Sequence, residues 1–131
     1  MDGMNKKIVI VDDEVHIRAL IEQTLEDLED EHGVEIFTAS NGQEGLDLIT
    51  EEKPDLVFLD VMMPLMNGYD VCKNVRQDPE LSHVKIVLLT AKGQEADRER
   101  GLSSGATEYM TKPFDPDDLL DYAKHVLGLE D

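Results

Sequence analysis

Short apolar runs alternate with amphipathic stretches from one end of the chain to the other. The apolar runs predict five strands, at Lys7–Val11, Val34–Ala39, Asp55–Leu59, Lys85–Leu89 and Thr107–Met110. Between them, apolar residues recur three or four positions apart, which is the spacing of one helical face. The predicted helices are Glu14–Glu31, Asn41–Glu51, Gly68–Arg76, Gln94–Leu102 and a last helix that begins at Asp115-Pro116 and ends at Gly128.

This alternation of strands and helices predicts an α/β fold. Five β-α units in series form a parallel sheet with helices on both faces. The first, third and fourth apolar runs lack polar interruptions, which is typical of strands buried on both sides. Right-handed crossovers restrict the topology to a few doubly wound forms, and in these forms ligands bind beyond the carboxyl ends of the strands.

Polar groups of complementary chemistry follow four of the predicted strands. Asp12-Asp13 follows the first, Asp60 the third, Thr90 the fourth and Lys112 the fifth. Three neighbouring carboxylates repel one another unless a cation neutralises them, and a site made of carboxylate oxygens favours Mg²⁺. An ionised aspartate is a nucleophile that forms an acyl phosphate, and a lysine and a hydroxyl stabilise phosphoryl oxygens.

Each of these residues also has a plainer explanation when it is taken alone. Asp12-Asp13 is a typical helix cap, and Asp60 is a typical acid at the end of a strand. Thr90 alone is a turn hydroxyl and Lys112 alone is a surface lysine. The joint occurrence of complementary groups at equivalent strand ends favours a functional site.

Length and charge narrow the function classes. The chain has 131 residues, which fits one domain, predicted at 7–128 between short tails at 1–6 and 129–131.

The net charge of −18 argues against direct nucleic-acid binding. Between Ala19 and Glu52 there are eleven Asp or Glu residues and no Lys or Arg, which we interpret as a solvated face, with recognition of a partner as the alternative. One cysteine and no long apolar segment indicate a cytoplasmic protein without a membrane span.

Four runs of the sequence together resemble the receiver domains of two-component response regulators. The runs are Val11–Glu14, Leu59–Gly68, Leu89–Ala91 and Gly105–Phe114, and the resemblance extends from about Lys6 to Leu127. It implies a flavodoxin-like three-layer sandwich whose five parallel strands have the order 2-1-3-4-5, with five helices.

The resemblance also implies roles for the residues at the strand ends. Asp60 would be the phosphoacceptor, and Asp13 and Asp60 would ligate Mg²⁺ together with the backbone carbonyl of Met62. Asp12 would act through a metal-bound water. Lys112 would pair with the phosphoryl group, and the peptide bond that follows it, to a proline, would be cis.

Further expectations concern signalling. Thr90 and Tyr109 would form a switch in which the hydroxyl moves toward the phosphoryl group and the ring then turns inward. The phosphoryl donor would be a histidine kinase or a phosphotransfer protein. The fourth predicted helix, fifth strand and fifth helix would form a face for output or for a homodimer. The domain would hydrolyse its own phosphoryl group and would have no other enzymatic activity.

Two alternatives start from the same residues. The first is a phosphatase or dehalogenase with an aspartate nucleophile, which commonly needs an acid two residues later, where this chain has Met62. The second is an interaction domain that works without phosphorylation. It predicts that the acids are degraded, whereas here they are intact.

Overall fold

A single parallel sheet forms the centre of the computed structural model, which describes residues 6–91 and 98–129. The strands are β1 (Lys7–Val11), β2 (Glu35–Ala39), β3 (Leu56–Asp60), β4 (Lys85–Ala91) and β5 (Glu108–Lys112). They lie in the order β2-β1-β3-β4-β5, with every neighbouring pair parallel. The predicted flavodoxin-like strand order is confirmed.

Helices connect the strands on both faces of the sheet. They are α1 (Val15–Thr24), α2 (Glu26–His32), α3 (Gly42–Glu52), α4 (Gly68–Arg76), α5 (Arg98–Ser103) and α6 (Pro116–Leu127). A short 3₁₀ turn, Pro79–Leu81, precedes β4. No helix within the described ranges combines the length and apolar character that crossing a bilayer requires.

Two predicted helices differ from the observed ones. The helix predicted at Glu14–Glu31 is interrupted at Leu25, whose backbone angles of φ −95° and ψ 3° leave the α-helical region, so that one predicted helix appears as α1 and α2. Of the helix predicted at Gln94–Leu102, residues 94–97 lie outside the described ranges, and α5 covers Arg98–Ser103.

Three strands extend further toward their carboxyl ends than the apolar runs predicted. The third strand includes Asp60, the fourth includes Thr90, and the fifth includes Lys112. The polar residues therefore belong to the sheet itself. Because backbone hydrogen bonds to neighbouring strands hold these positions, the side chains extend from a rigid backbone.

Side-chain caps fix where the helices begin at the carboxyl edge. Asn41 accepts a hydrogen bond from the backbone N–H of Glu44 at 2.9 Å, and the Glu44 carboxylate accepts one from the N–H of Ser40 at 3.1 Å. Asp115 caps α6 by accepting from the N–H of Asp117 at 2.8 Å. Asn41 and Asp115 thus satisfy backbone donors that the first helical turn leaves unpaired.

The core consists of two apolar layers, one on each face of the sheet. The central strand β3 is buried at all five positions. Val57 and Leu59 belong to the layer under α3 and α4, and Leu56 and Phe58 belong to the layer under α1 and α6. Apolar side chains thus fill both faces, and polar groups are left for the edge where the strands end.

Candidate functional site

The structure brings Lys112 together with acids from two other strand ends. The Lys112 Nζ lies 2.8 Å from Asp12 Oδ2 and 3.3 Å from Asp60 Oδ1. It also lies 3.4 Å from Glu14 Oε1, at the start of α1. One ammonium group therefore faces three carboxylates, which come from two separate parts of the sequence.

The carboxylates form a compact group. One oxygen from each of Asp12, Asp13, Glu14 and Asp60 lies within 4.8 Å of the others. Asp12 is fully buried and Asp60 is 5% exposed, whereas Asp13 and Glu14 are exposed. The group therefore has a buried floor and an exposed rim, which leaves one side open to a ligand.

Three polar atoms of Asp12 form hydrogen bonds, and the fourth, Oδ2, forms only an ion pair, with Lys112. Its N–H donates to the Ala39 carbonyl at 3.2 Å, and its Oδ1 accepts from the N–H of Glu14 at 2.8 Å. Its Oδ2 faces Lys112, and its carbonyl accepts from Arg18 at 2.6 Å. Asp12 is therefore a fixed part of the floor, and the exposed Asp13 is more accessible to an external ligand.

Charge at the site is unbalanced, and the pKa of Asp60 reflects this. Burial is the largest cause that raises the pKa of Asp60, to about 7, and the negative charge of Asp12 is the second. Lys112 acts in the opposite direction. Burial also lowers the pKa of Lys112, but Asp12 and Asp60 outweigh that effect and the net shift is upward. The Lys112 ammonium group does not offset the effects of burial and of Asp12 on Asp60, and an additional cation would complete the compensation.

The donor set fits a hard divalent cation. Carboxylate oxygens are the ligands that Mg²⁺ prefers, and here they surround an open rim. The N–H of Met62 lies 3.4 Å from Asp60 Oδ1, which places the Met62 peptide next to the acid cluster. Asp13 and Asp60 each contribute one carboxylate oxygen to this group.

Thr90 adds a buried hydroxyl to the same edge. It is 4% exposed, and its Oγ1 has no hydrogen-bond partner among the residues that the structure describes. The register pairs Thr90 with Thr111, so that Tyr109, two positions earlier on β5, lies on the same face of the sheet. Tyr109 is half-buried against the apolar layer of that face. A buried hydroxyl without a partner is costly, and an incoming oxygen ligand would satisfy it.

The loop after β3 approaches the carboxyl end of β3 closely. A Cβ atom at Gly68 would lie 2.6 Å from the Asp60 carbonyl oxygen, so a larger residue there would displace the strand end. In the same loop, Leu65 has a positive φ of 73° and is 82% exposed. The Lys112–Pro113 peptide bond is cis, as the resemblance implied.

Two residues of the site were not found by sequence reasoning. Glu14 begins a predicted helix and ends the run Val11–Glu14, and the sequence gives it no role in the site, yet it belongs to the acid group and contacts Lys112. The sequence gives Arg18 no role either, although its guanidinium reaches the Asp12 carbonyl. Its position four residues after Glu14 is consistent with a side chain that folds back over the first helical turn.

Comparisons with known proteins agree with the geometry. The family model of the response regulator receiver domain matches residues 8–124. The chain is 45% identical over 124 residues to the alkaline phosphatase synthesis transcriptional regulatory protein PhoP of Bacillus subtilis (strain 168), a match that covers 95% of this chain and 49% of PhoP. The chain spans about half the length of the curated relatives that it matches.

Solved structures show the same architecture. The Vibrio cholerae chemotaxis protein CheY4 is similar with a TM-score of 0.82 and 32% identity, over 94% of this chain and 99% of that one. The receiver domain of the sensor histidine kinase PA1611 from Pseudomonas aeruginosa PAO1 has a TM-score of 0.82 and 25% identity, over 95% of this chain and 99% of that one. That structure is described with a magnesium ion coordinated in its active site cleft. The chain belongs to the response regulator receiver domain family.

Proposed function

We propose that Asp60 accepts a phosphoryl group from the phosphohistidine of a histidine kinase or phosphotransfer protein. The observation that carries this proposal is the position of Asp60, a nearly buried carboxylate at the end of the central strand, 3.3 Å from the Lys112 ammonium. A buried nucleophile next to a fixed positive charge suits the transfer of an anionic group.

The transfer itself needs few protein groups. A carboxylate oxygen of Asp60 attacks the phosphorus, the phosphorus–nitrogen bond of the phosphohistidine breaks, and the imidazole leaves with the electron pair and takes a proton from water. The product is an acyl phosphate on Asp60. Lys112 stabilises the charge on one phosphoryl oxygen, and the unpaired hydroxyl of Thr90 donates to another.

Asp13, Asp60 and the Met62 backbone carbonyl would hold Mg²⁺, with Asp12 acting through a water. When it is bound, this ion neutralises charge on the phosphoryl oxygens and on the carboxylates. The support comes from the cluster of four acids, whose carboxylate oxygens lie within 4.8 Å of one another, and from the raised pKa of Asp60. The fixed position of Asp12 favours an outer role for it, and the exposure of Asp13 favours direct contact.

Phosphorylation would be read out through Thr90 and Tyr109. Once the Thr90 hydroxyl turns toward the phosphoryl group, space opens on the face of the sheet that it shares with Tyr109. The half-buried ring then moves inward, and the surface of β5 changes. Packing on a rigid sheet makes such a change two-state rather than gradual.

The biological setting follows from this chemistry. The domain is a signalling module that removes its phosphoryl group by hydrolysis, and we place it in the cytoplasm with boundaries at 7–128. Its net charge of −18 argues that nucleic acid is not contacted by this domain, even though PhoP is described as a transcriptional regulator. The face formed by α5, β5 and α6 is our candidate for a homodimer.

Mass spectrometry after incubation with Mg²⁺ and acetyl phosphate tests the proposal. We expect the wild-type mass to increase by one phosphoryl group, and no increase in Asp60→Asn or after removal of Mg²⁺ with EDTA. Asp55→Asn is a matched control, because this half-buried carboxylate lies at the opposite end of the sheet, 2.9 Å from the Lys7 N–H. An adduct that survives in Asp60→Asn would contradict the assignment. Full partner binding by unphosphorylated protein would favour an interaction domain instead.

A further inference from the structure

Arg18 connects the first helix to the turn that carries the acids. Its Nη1 donates to the backbone carbonyl of Asp12 at 2.6 Å. The side chain is half-buried, and Arg18 lies in the first turn of α1, where its own N–H donates to the Glu14 carbonyl at 3.1 Å. A charged donor at this distance makes a stronger hydrogen bond than a neutral one.

The carbonyl that Arg18 holds belongs to the peptide bond between Asp12 and Asp13. Since a peptide unit is planar, fixing its carbonyl oxygen also fixes the direction in which the chain enters Asp13. The N–H and the carboxylate of Asp12 are already held by Ala39, Glu14 and Lys112. Arg18 therefore adds the contact nearest to Asp13, the exposed acid of the cluster.

The positive charge of Arg18 also acts on an acid at the start of α3. Hydrogen bonds from Ser40 are the main cause that lowers the pKa of Glu44, and the positive charge of Arg18 adds a smaller effect in the same direction. The contact that fixes the Arg18 side chain is therefore its hydrogen bond to the Asp12 carbonyl.

We propose that Arg18 is a positioning residue for the cation site, because its hydrogen bond to the Asp12 carbonyl holds Asp13 where it ligates Mg²⁺. The inference rests on the proposed function, in which Asp13 and Asp60 are Mg²⁺ ligands. Arg18 itself touches neither the ion nor the phosphoryl group in this account.

Charge and positioning have opposite consequences for Mg²⁺ binding when Arg18 is replaced. Removing a positive charge near the site would by itself strengthen the binding of a cation. Loss of positioning would weaken it, because Asp13 would no longer be held in place. The sign of the change in affinity therefore separates the two explanations.

Arg76 offers a matched control. Its Nε donates to the backbone carbonyl of Gly105 at 2.8 Å, and it is half-buried like Arg18. It lies on α4 and contacts the turn before β5, away from the acids. Replacing Arg76 therefore removes the same kind of contact and the same charge without touching the cation site.

The experiment is a calorimetric Mg²⁺ titration of the full chain, with the melting temperature measured for each protein. We expect Arg18→Met to bind Mg²⁺ about tenfold more weakly than the wild type, in line with other residues that orient metal ligands. Arg18→Lys, which keeps a charged donor, is expected to restore most of the affinity. Arg76→Met is expected to lower the melting temperature without changing the affinity. Arg18→Gln is a second neutral variant, and we expect it to weaken Mg²⁺ binding as Arg18→Met does.

Unchanged or stronger Mg²⁺ binding by Arg18→Met or Arg18→Gln overturns the inference. Equal weakening by Arg76→Met overturns it too, because the effect would then be general loss of stability. A wild-type protein that binds no Mg²⁺ overturns the proposed function instead. A wild type that binds, together with Arg18 variants that bind equally well, overturns only the positioning role.

Discussion

The two ends of the sheet handle charge in opposite ways. At the amino end, individual acids meet individual donors: Lys7 Nζ lies 3.1 Å from Glu52, and the Lys7 N–H lies 2.9 Å from Asp55. Lys53 pairs with Glu80 at 2.6 Å. At the carboxyl end, a cluster of four acids surrounds the single ammonium group of Lys112, which lies within 3.4 Å of three of them.

This difference separates structural charge from functional charge. The amino-end pairs are locally balanced and lie near solvent, where ion pairs contribute little. The carboxyl end has surplus negative charge, a carboxylate of raised pKa and a buried hydroxyl without a partner among the described residues. Such a site is unfavourable by itself and becomes favourable when a cation or a phosphoryl group binds.

The largest expected effect comes from removing the Lys112 ammonium group from the carboxyl end of the sheet. Lys112→Met leaves Asp12 and Asp60 without their positive neighbour. We expect the free energy of unfolding to fall by about 3 kcal/mol at about pH 8 without Mg²⁺, since an unpaired buried charge is costly. Denaturation in guanidinium chloride measures this, and an unchanged midpoint would contradict the proposed imbalance.

Asp60→Asn is expected to act in the other direction. Because burial and Asp12 disfavour the ionised form of Asp60, its replacement by a neutral amide removes an unfavourable charge. We expect the free energy of unfolding to rise by about 2 kcal/mol at about pH 8 without Mg²⁺, after allowance for solvent at the open rim. Loss of stability in this variant would show that the carboxylate is well compensated.

The pH dependence of the free energy of unfolding, compared between wild type and Asp60→Asn, tests the direction of this effect independently. The pKa of Asp60 is raised from 3.8 to about 7 on folding, so the folded protein binds this proton more tightly than the unfolded chain. The stability that this proton contributes is fully present below the pKa of the unfolded chain and is lost as pH rises through the pKa of the folded protein. Wild-type stability should therefore decrease between about pH 4 and about pH 7 relative to Asp60→Asn. If the stability of the two proteins changed with pH in parallel, the raised pKa of Asp60 would be contradicted.

Thr90→Val is expected to have a smaller effect. The buried Oγ1 has no partner among the described residues, so an isosteric methyl removes an unsatisfied polar group. We expect a gain of up to about 1 kcal/mol without ligand. The variant should still be phosphorylated, but the change in tyrosine fluorescence that accompanies phosphorylation in the wild type should be reduced. A full fluorescence change would argue against the switch.

The smallest expected effect is at the amino end. Lys53→Met breaks an exposed pair with Glu80, and the expected change in melting temperature is too small to measure. Neither Mg²⁺ affinity nor phosphorylation should change. A loss comparable to that of Lys112→Met would remove the distinction between the two ends of the sheet.

The sequence was sufficient to predict which strand ends carry polar groups. Asp60 and Lys112 follow apolar runs, and parallel strands deliver their carboxyl ends to one edge, so their proximity follows from topology. The interruption of the first helix at Leu25 was not predictable in this way. Ile21, Leu25 and Leu28 are all buried, so the apolar spacing continues through the break and does not mark it.

The roles of Glu14 and Arg18 were also beyond sequence reasoning. Both contacts depend on where flexible side chains point: Glu14 reaches Lys112, and Arg18 reaches a backbone carbonyl. Apolar periodicity reports which face of a helix is buried and does not report how far a polar side chain extends. Contacts to backbone atoms, in addition, leave no complementary residue in the sequence to find.

A calorimetric comparison of Mg²⁺ binding to wild type, Asp60→Asn and Asp55→Asn tests the central claim most directly. Asp60 belongs to the surplus charge at the carboxyl end, whereas Asp55 is paired at the amino end. We predict one Mg²⁺ per chain for the wild type and for Asp55→Asn, and severely weakened binding for Asp60→Asn. Equal binding by all three proteins, or none by the wild type, would contradict the account.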